Sequence, residues 1–119
     1  MEKEAALAAL AALAQETRLD IFRLLVEAGP EGMPAGRIGE HLGLPSATLA
    51  FHLKELKSAG LAACTRDGRS LIYAARYPAM NALLAYLTEN CCQGGEGRGA
   101  ACDLPPTACD SITQTKRSA

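Results

Sequence analysis

The pair Asp67-Gly68, set between Leu61–Arg66 and Arg69–Ala75, constrains this chain more than any other feature. Asp-Gly is a favoured dipeptide of the two-residue type I′ turn, in which both central residues take positive φ. A β-hairpin is expected there, with Asp67-Gly68 as its loop. The segments before it follow a helical period instead. Leu7, Leu10 and Leu13 in an alanine background predict a first helix. A second is expected over Thr17–Ala28, where Ile21, Leu24, Leu25 and Ala28 keep helical spacing. Leu19, Phe22 and Val26 add a second apolar face, so this helix should be central, and Gly29-Pro30 ends it. A short third helix, Ala35–Leu42, closes at Gly43. A fourth over Ser46–Ser58 turns Leu49, Leu53 and Leu56 inward and stops by Gly60. Beyond the hairpin, Pro78 opens a last helix with Met80, Leu83, Leu84, Leu87 and Cys91 on one stripe.

These elements give a mostly α fold with a small β-hairpin wing. The first and last helices would leave long apolar faces open on a small protein, so a symmetric homodimer through those two helices is expected. The 119 residues suffice for one domain, and 49% apolar content suffices for its core. Only 4% of residues are aromatic, which argues against a large aromatic-lined pocket. No apolar run is long enough to span a membrane. The Ala/Leu run from Ala5 follows the acidic Glu2-Lys3-Glu4, the wrong charge for a secretory signal, so a cytoplasmic location is expected. After Cys92 the composition shifts to Gly, Pro, Ser and Thr without apolar periodicity. Residues 1–92 are thus read as the folded domain and 93–119 as a flexible, cysteine-containing tail.

The formal net charge of −1 conceals a sorted distribution. Residues 1–45 are acidic, whereas residues 46–76 hold Lys54, Lys57, Arg66, Arg69 and Arg76 against only Glu55 and Asp67. A local basic stretch can steer a polyanion even on an acidic protein. A short helix, a tight turn, a second helix and a basic hairpin together make a winged helix-turn-helix, whose second helix fits the major groove of double-stranded DNA. Ser46, Thr48, Phe51 and His52 are the expected base-facing residues. Lys54, Lys57, Arg66 and Arg69 are placed for phosphates, the two arginines also for a groove.

The stretch Thr17-Arg18-Leu19-Asp20-Ile21-Phe22-Arg23-Leu24-Leu25, then Leu49-Ala50-Phe51-His52-Leu53-Lys54-Glu55-Leu56, Ala59-Gly60-Leu61 and Gly68-Arg69 with Tyr73, resembles the ArsR/SmtB family over about residues 5–92. The resemblance implies a homodimeric winged-helix repressor responsive to metals, without enzymatic activity or resident cofactor. Ala50 stands where the family often has Ser, and Pro45 where an N-cap Ser is common.

The inducer has to be argued from the donors present. Glu31–Glu40 contains no Cys, and Ala79–Asn90 contains no His or Asp. Sulfur remains: Cys91 and Cys92, then Cys102 and Cys109 in the tail, with Cys64 apart in the first wing strand. A sulfur-only set favours thiophilic ions, here As(III) or Sb(III) held in a three-coordinate pyramid by Cys91, Cys92 and Cys102. Closing the loop to Cys102 costs on the order of 2 kcal/mol plus a constant, against roughly 10 kcal/mol or more for sulfur coordination in zinc systems. The resemblance agrees, since an arsenic-sensing subgroup carries a vicinal Cys pair with a further Cys downstream. A methylated arsenical needs only two thiolates, so the pair alone would serve it. Two other readings stay open: a thiol-redox switch on the same cysteines, and a phosphatase-like Cys-x5-Arg loop from Cys92 to Arg98. That loop would need a preceding strand, and a helix is expected there instead.

Overall fold

The computed structural model describes residues 1–92. The chain divides into two units, one of Met1–Leu87 and one beginning at Thr88. The first contains every helix and strand described: α1 Lys3–Leu13, α2 Glu16–Ala28, β1 Met33–Pro34, α3 Ala35–Leu42, α4 Ser46–Ser58, β2 Ala62–Asp67, β3 Ser70–Ala75 and α5 Tyr77–Leu87.

Helix α2 is the hub of the core. Ile21 and Leu25 are fully enclosed and meet Ile38 of α3, Leu53 and Leu56 of α4, and Leu61. No polar side chain is buried among the described residues. The second apolar face expected of α2 is only partly covered, since Phe22 is buried but Leu19 is exposed. Helix α1 packs through Ala6, Ala9 and Ala12, whose small side chains let it lie close to its neighbours. Its leucines point the other way: Leu7 and Leu10 are 57% and 39% exposed. Helix α5 repeats the arrangement, burying Leu83 and leaving Leu84 and Leu87 more than half exposed. The Tyr77 hydroxyl donates to the Val26 carbonyl at 3.0 Å, tying the start of α5 to the end of α2.

The wing is a three-stranded antiparallel sheet of order β1-β3-β2. In the β2–β3 register Ala62 faces Ala75, Cys64 faces Tyr73 and Asp67 faces Ser70. Its loop is therefore Gly68-Arg69, one residue later than the expected Asp67-Gly68. Gly68 takes φ of +66° while Arg69 stays out of the positive region. Positive φ at the first central residue alone fits a type II′ turn rather than type I′. The extra strand, β1, pairs Met33 with Tyr73 and Pro34 with Ile72. Two residues carry no alternation to read, and a Pro is tolerated because the strand is an edge. Gly32 leads into it at φ of +78°, where a Cβ would run into the Tyr73 carbonyl.

A second correction concerns the last helix. It ends at Leu87, so Cys91 does not extend the stripe of Leu83, Leu84 and Leu87. Thr88–Cys92 forms turns instead, with the Cys91 amide donating to the Thr88 carbonyl and with Asn90 and Cys92 both at left-handed φ.

Candidate nucleic-acid interface

The junction of α3 and α4 fixes how the second helix is presented. Gly43 ends α3 in the left-handed conformation at φ of +66°, and the amides of Gly43 and Leu44 both donate to the Gly39 carbonyl. Pro45, extended at φ −64° and ψ 151°, then redirects the chain into α4. No side chain caps α4, so the amides of its first turn face outward at the positive end of the helix dipole. That is a ready seat for a phosphate.

Helix α4 has three strips. Leu49, Leu53 and Leu56 are buried. Ala47, Phe51, Lys54 and Ser58 form the fully outward strip, with Phe51 55% exposed at its centre. Ser46 and Ala50 flank it on the wing side, and Thr48 and His52 on the side of α2. Of the residues expected to meet DNA, Ser46, Thr48, Phe51, Lys54 and Lys57 are exposed on α4, and Arg66 and Arg69 are exposed at the end of the wing. The Phe51 and His52 rings meet edge-on, their centroids 5.3 Å apart.

His52 differs from the others. It is half-buried, and its Nδ1 lies 3.3 Å from Nη1 of Arg18. A guanidinium can only donate, so Nδ1 is the acceptor and the ring proton sits on Nε2. Arg18 also donates from Nε to the Ala12 carbonyl at 2.8 Å, and its own amide donates to Gln15 Oε1 at 2.8 Å. One arginine thus joins the end of α1, the start of α2 and the flank of α4. In the sequence Arg18 stands out only as part of a motif; nothing in its local spacing foretells a partner 34 residues away.

On the wing, Tyr73 and Cys64 face each other across β2 and β3. Burial, a hydrogen bond with Cys64 and repulsion from negative charge on that thiol hold the Tyr73 phenol above its ordinary value near 10.

A helix-turn-helix domain model matches residues 13–65, which takes in α2 through most of β2. Over 59 residues the chain is 39% identical to an uncharacterized HTH-type transcriptional regulator, YceK, of Bacillus subtilis (strain 168), covering 50% of this chain and 58% of that one. The chain thus spans less than two thirds of that relative. It is 32% identical over 89 residues to the HTH-type transcriptional regulator YgaV of Escherichia coli (strain K12), covering 75% of this chain and 88% of that one. Among solved structures, an ArsR-like transcriptional regulator from Rhodococcus sp. RHA1 superposes with a TM-score of 0.65 at 25% identity, over 92% of this chain and 93% of that one. The chain belongs to the ArsR family of winged helix-turn-helix transcriptional regulators. The family is one of regulators, not enzymes.

In this ArsR-family chain the sulfur positions fall into two groups. Cys91 and Cys92 lie together in the second unit, their Sγ atoms 3.3 Å apart. Cys102 and Cys109, and Arg98 of the Cys-x5-Arg segment, lie outside the described residues. Cys64 sits half-buried on β2, its thiol directed at the Thr65 carbonyl 4.0 Å away. Among the described residues no three Cys, His, Asp or Glu side chains converge as a metal site.

Proposed function

We propose that the protein is a repressor that binds operator DNA as a homodimer, with α4 in the major groove and the wing on the flanking backbone. The observation that carries this reading is the sorting of α4: leucines on the inner strip, Phe51 and Lys54 outward, and uncapped amides at the leading end. The exposed leucines of α1 and α5 support self-association, since two copies facing each other would cover both. A two-fold dimer calls for a pseudo-palindrome with half-sites roughly 34 Å apart. Selecting bound duplexes from a random pool tests it. Enrichment of two inverted half-sites at one-turn spacing is expected, and enrichment of a single unrepeated site would contradict the dimer.

Trivalent arsenic or antimony, as As(III), Sb(III) or a methylated arsenical, is the proposed releasing ligand, held by Cys91, Cys92 and Cys102. Cys91 and Cys92 lie side by side, Sγ to Sγ 3.3 Å, which supports the pair as ligands of one ion once both are reduced. Release requires a linkage of about 1–3 kcal/mol between ion and DNA, or about 5- to 150-fold in affinity. Thiol-blocking footprints with and without arsenite report the ligands: protection of Cys91, Cys92 and Cys102 is expected.

One observation favours a second reading. Cys92, but not its neighbour Cys91, is disulfide-bonded in this structure. A switch on thiol oxidation would then release DNA under diamide in metal-free buffer, with arsenite inactive on the reduced protein.

A further inference from the structure

Between α3, the turn after it, the leading half of α4 and the inner face of β3 lies a cavity of about 660 Å³. That volume falls within the range of small-molecule sites. The cavity is a cleft open to solvent on one side. Here the wall contributed by α3 is Gly36, Gly39 and Gly43, which repeat at helical spacing and contribute no side chain. A Cβ added at Gly36 would meet nothing within 4 Å. Facing the glycines are apolar surfaces of Leu49, Leu53, Leu71 and Tyr73.

One charged residue lines this cavity, the exposed Glu40, and among the described residues no ion pair holds it. An adjoining cavity of about 300 Å³ shares Ala35, Gly36 and Leu71 and carries the cationic Arg69 at its margin. The cleft is therefore largely apolar, with Glu40 lining its main part and Arg69 only the adjoining one. A ligand matching that pattern has an apolar body and a cationic head directed at Glu40, away from Arg69. An anionic head on the same body would meet Glu40 unfavourably.

We propose that this cleft is a binding site for a small amphipathic amine, with its hydrocarbon body between the α3 glycines and Leu71 and its ammonium group at Glu40. No cysteine is among its lining residues. Ser46 and Ala50, on the wing-side flank of α4, form part of its wall, so an occupant sits between the two elements that the proposed DNA complex uses. Occupancy then competes with, or repositions, the wing against α4. Only this last consequence rests on the DNA-binding reading.

The test separates the two. N-phenyl-1-naphthylamine, an apolar fluorescent probe, is titrated into the full chain without DNA, then displaced with phenethylammonium or with 3-phenylpropionate. Saturable binding at one probe per chain is expected, with phenethylammonium displacing it at least tenfold more effectively than the acid. Gly36→Leu fills the space and should weaken the probe at least tenfold while the thermal midpoint holds. Glu40→Gln should erase the preference for the amine and leave probe affinity unchanged, which keeps the proposal testable if Gly36→Leu does not fold. Probe binding that is unsaturable, or unaltered in Gly36→Leu, or an amine preference that survives Glu40→Gln, would overturn the site. A DNA anisotropy titration with phenethylammonium present then reads the coupling: reduced affinity supports it, and unchanged affinity alongside intact probe binding overturns the coupling alone.

Discussion

The Arg18 guanidinium donates to Nδ1 of His52 at 3.3 Å, linking the first turn of α2 to the exposed helix α4 across 34 residues of sequence. The same side chain holds the Ala12 carbonyl at the end of α1. The sequence pattern places His52 toward DNA, and the structure gives its ring a structural role as well. One ring nitrogen is held from within, which orients the other, protonated nitrogen.

Removing that anchor should disturb stability and DNA binding together. Arg18→Ala loses two side-chain hydrogen bonds from a charged donor, a class of bond worth about 1.5–3 kcal/mol each. A fall of several degrees in Tm is expected, with weaker operator affinity. Arg18→Lys should not rescue it, because a point ammonium cannot reproduce the planar fork that reaches both acceptors. Rescue to the wild-type Tm by Lys would argue that charge alone matters.

The outward strip of α4 predicts how salt enters. If Lys54 meets a phosphate, Lys54→Ala weakens binding to all duplexes alike and lowers the slope of log affinity against log salt by about 1. Phe51→Ala, by contrast, should leave the slope unchanged and relax sequence preference. Binding titrations at three salt concentrations separate the two. An unchanged slope for Lys54→Ala would place that lysine off the backbone.

The exposed leucines predict the assembly. Leu7→Glu together with Leu84→Glu puts charge on both uncovered helix faces without touching the buried positions Ala6, Ala9 and Leu83. Sedimentation should show dimers for the parent chain and folded monomers for the variant. Dimers persisting in the variant would move the interface elsewhere.

Tyr73 predicts an alkaline limit to stability. Its phenol is raised in the folded chain by burial and by Cys64, so the unfolded chain ionises first. The stabilisation is complete below the ordinary value near 10 and is lost as pH rises from there through the raised folded value. Tyr73→Phe should flatten the fall in stability above pH 10, measured by denaturant midpoint. An equal slope in both proteins would assign the loss to other groups.

Much of this architecture is legible in sequence because local chemistry dictates it. Helices α3 and α4 begin and end at the expected residues, because Gly43 supplies the left-handed stop and Leu49, Leu53 and Leu56 set the buried face. The hairpin loop falls one residue beyond Asp67-Gly68 because Asp-Gly and Gly-Arg compete as the central pair, and cross-strand register decides between them. Strand β1 exists only through its pairing with Tyr73 and Ile72, which two residues cannot announce. Helix α5 stops at Leu87 although the apolar spacing continues to Cys91, so the periodicity outruns the helix. The exposed positions of α4 and the wing follow from the same patterns. The tie between Arg18 and His52, and the glycine-walled cleft, are tertiary products of α1, α2, α3, α4 and β3 meeting.

Central to the proposed regulation is a thiophilic ion on the vicinal cysteines that loosens the grip of α4 and the wing on DNA. The most direct measurement is fluorescence anisotropy of the selected duplex, in a thiol reductant, with and without arsenite, for the parent chain and for Cys91→Ser. Arsenite should weaken binding by about 5- to 150-fold in the parent and leave Cys91→Ser unresponsive. An equal response in both proteins, or none in the parent, would contradict it.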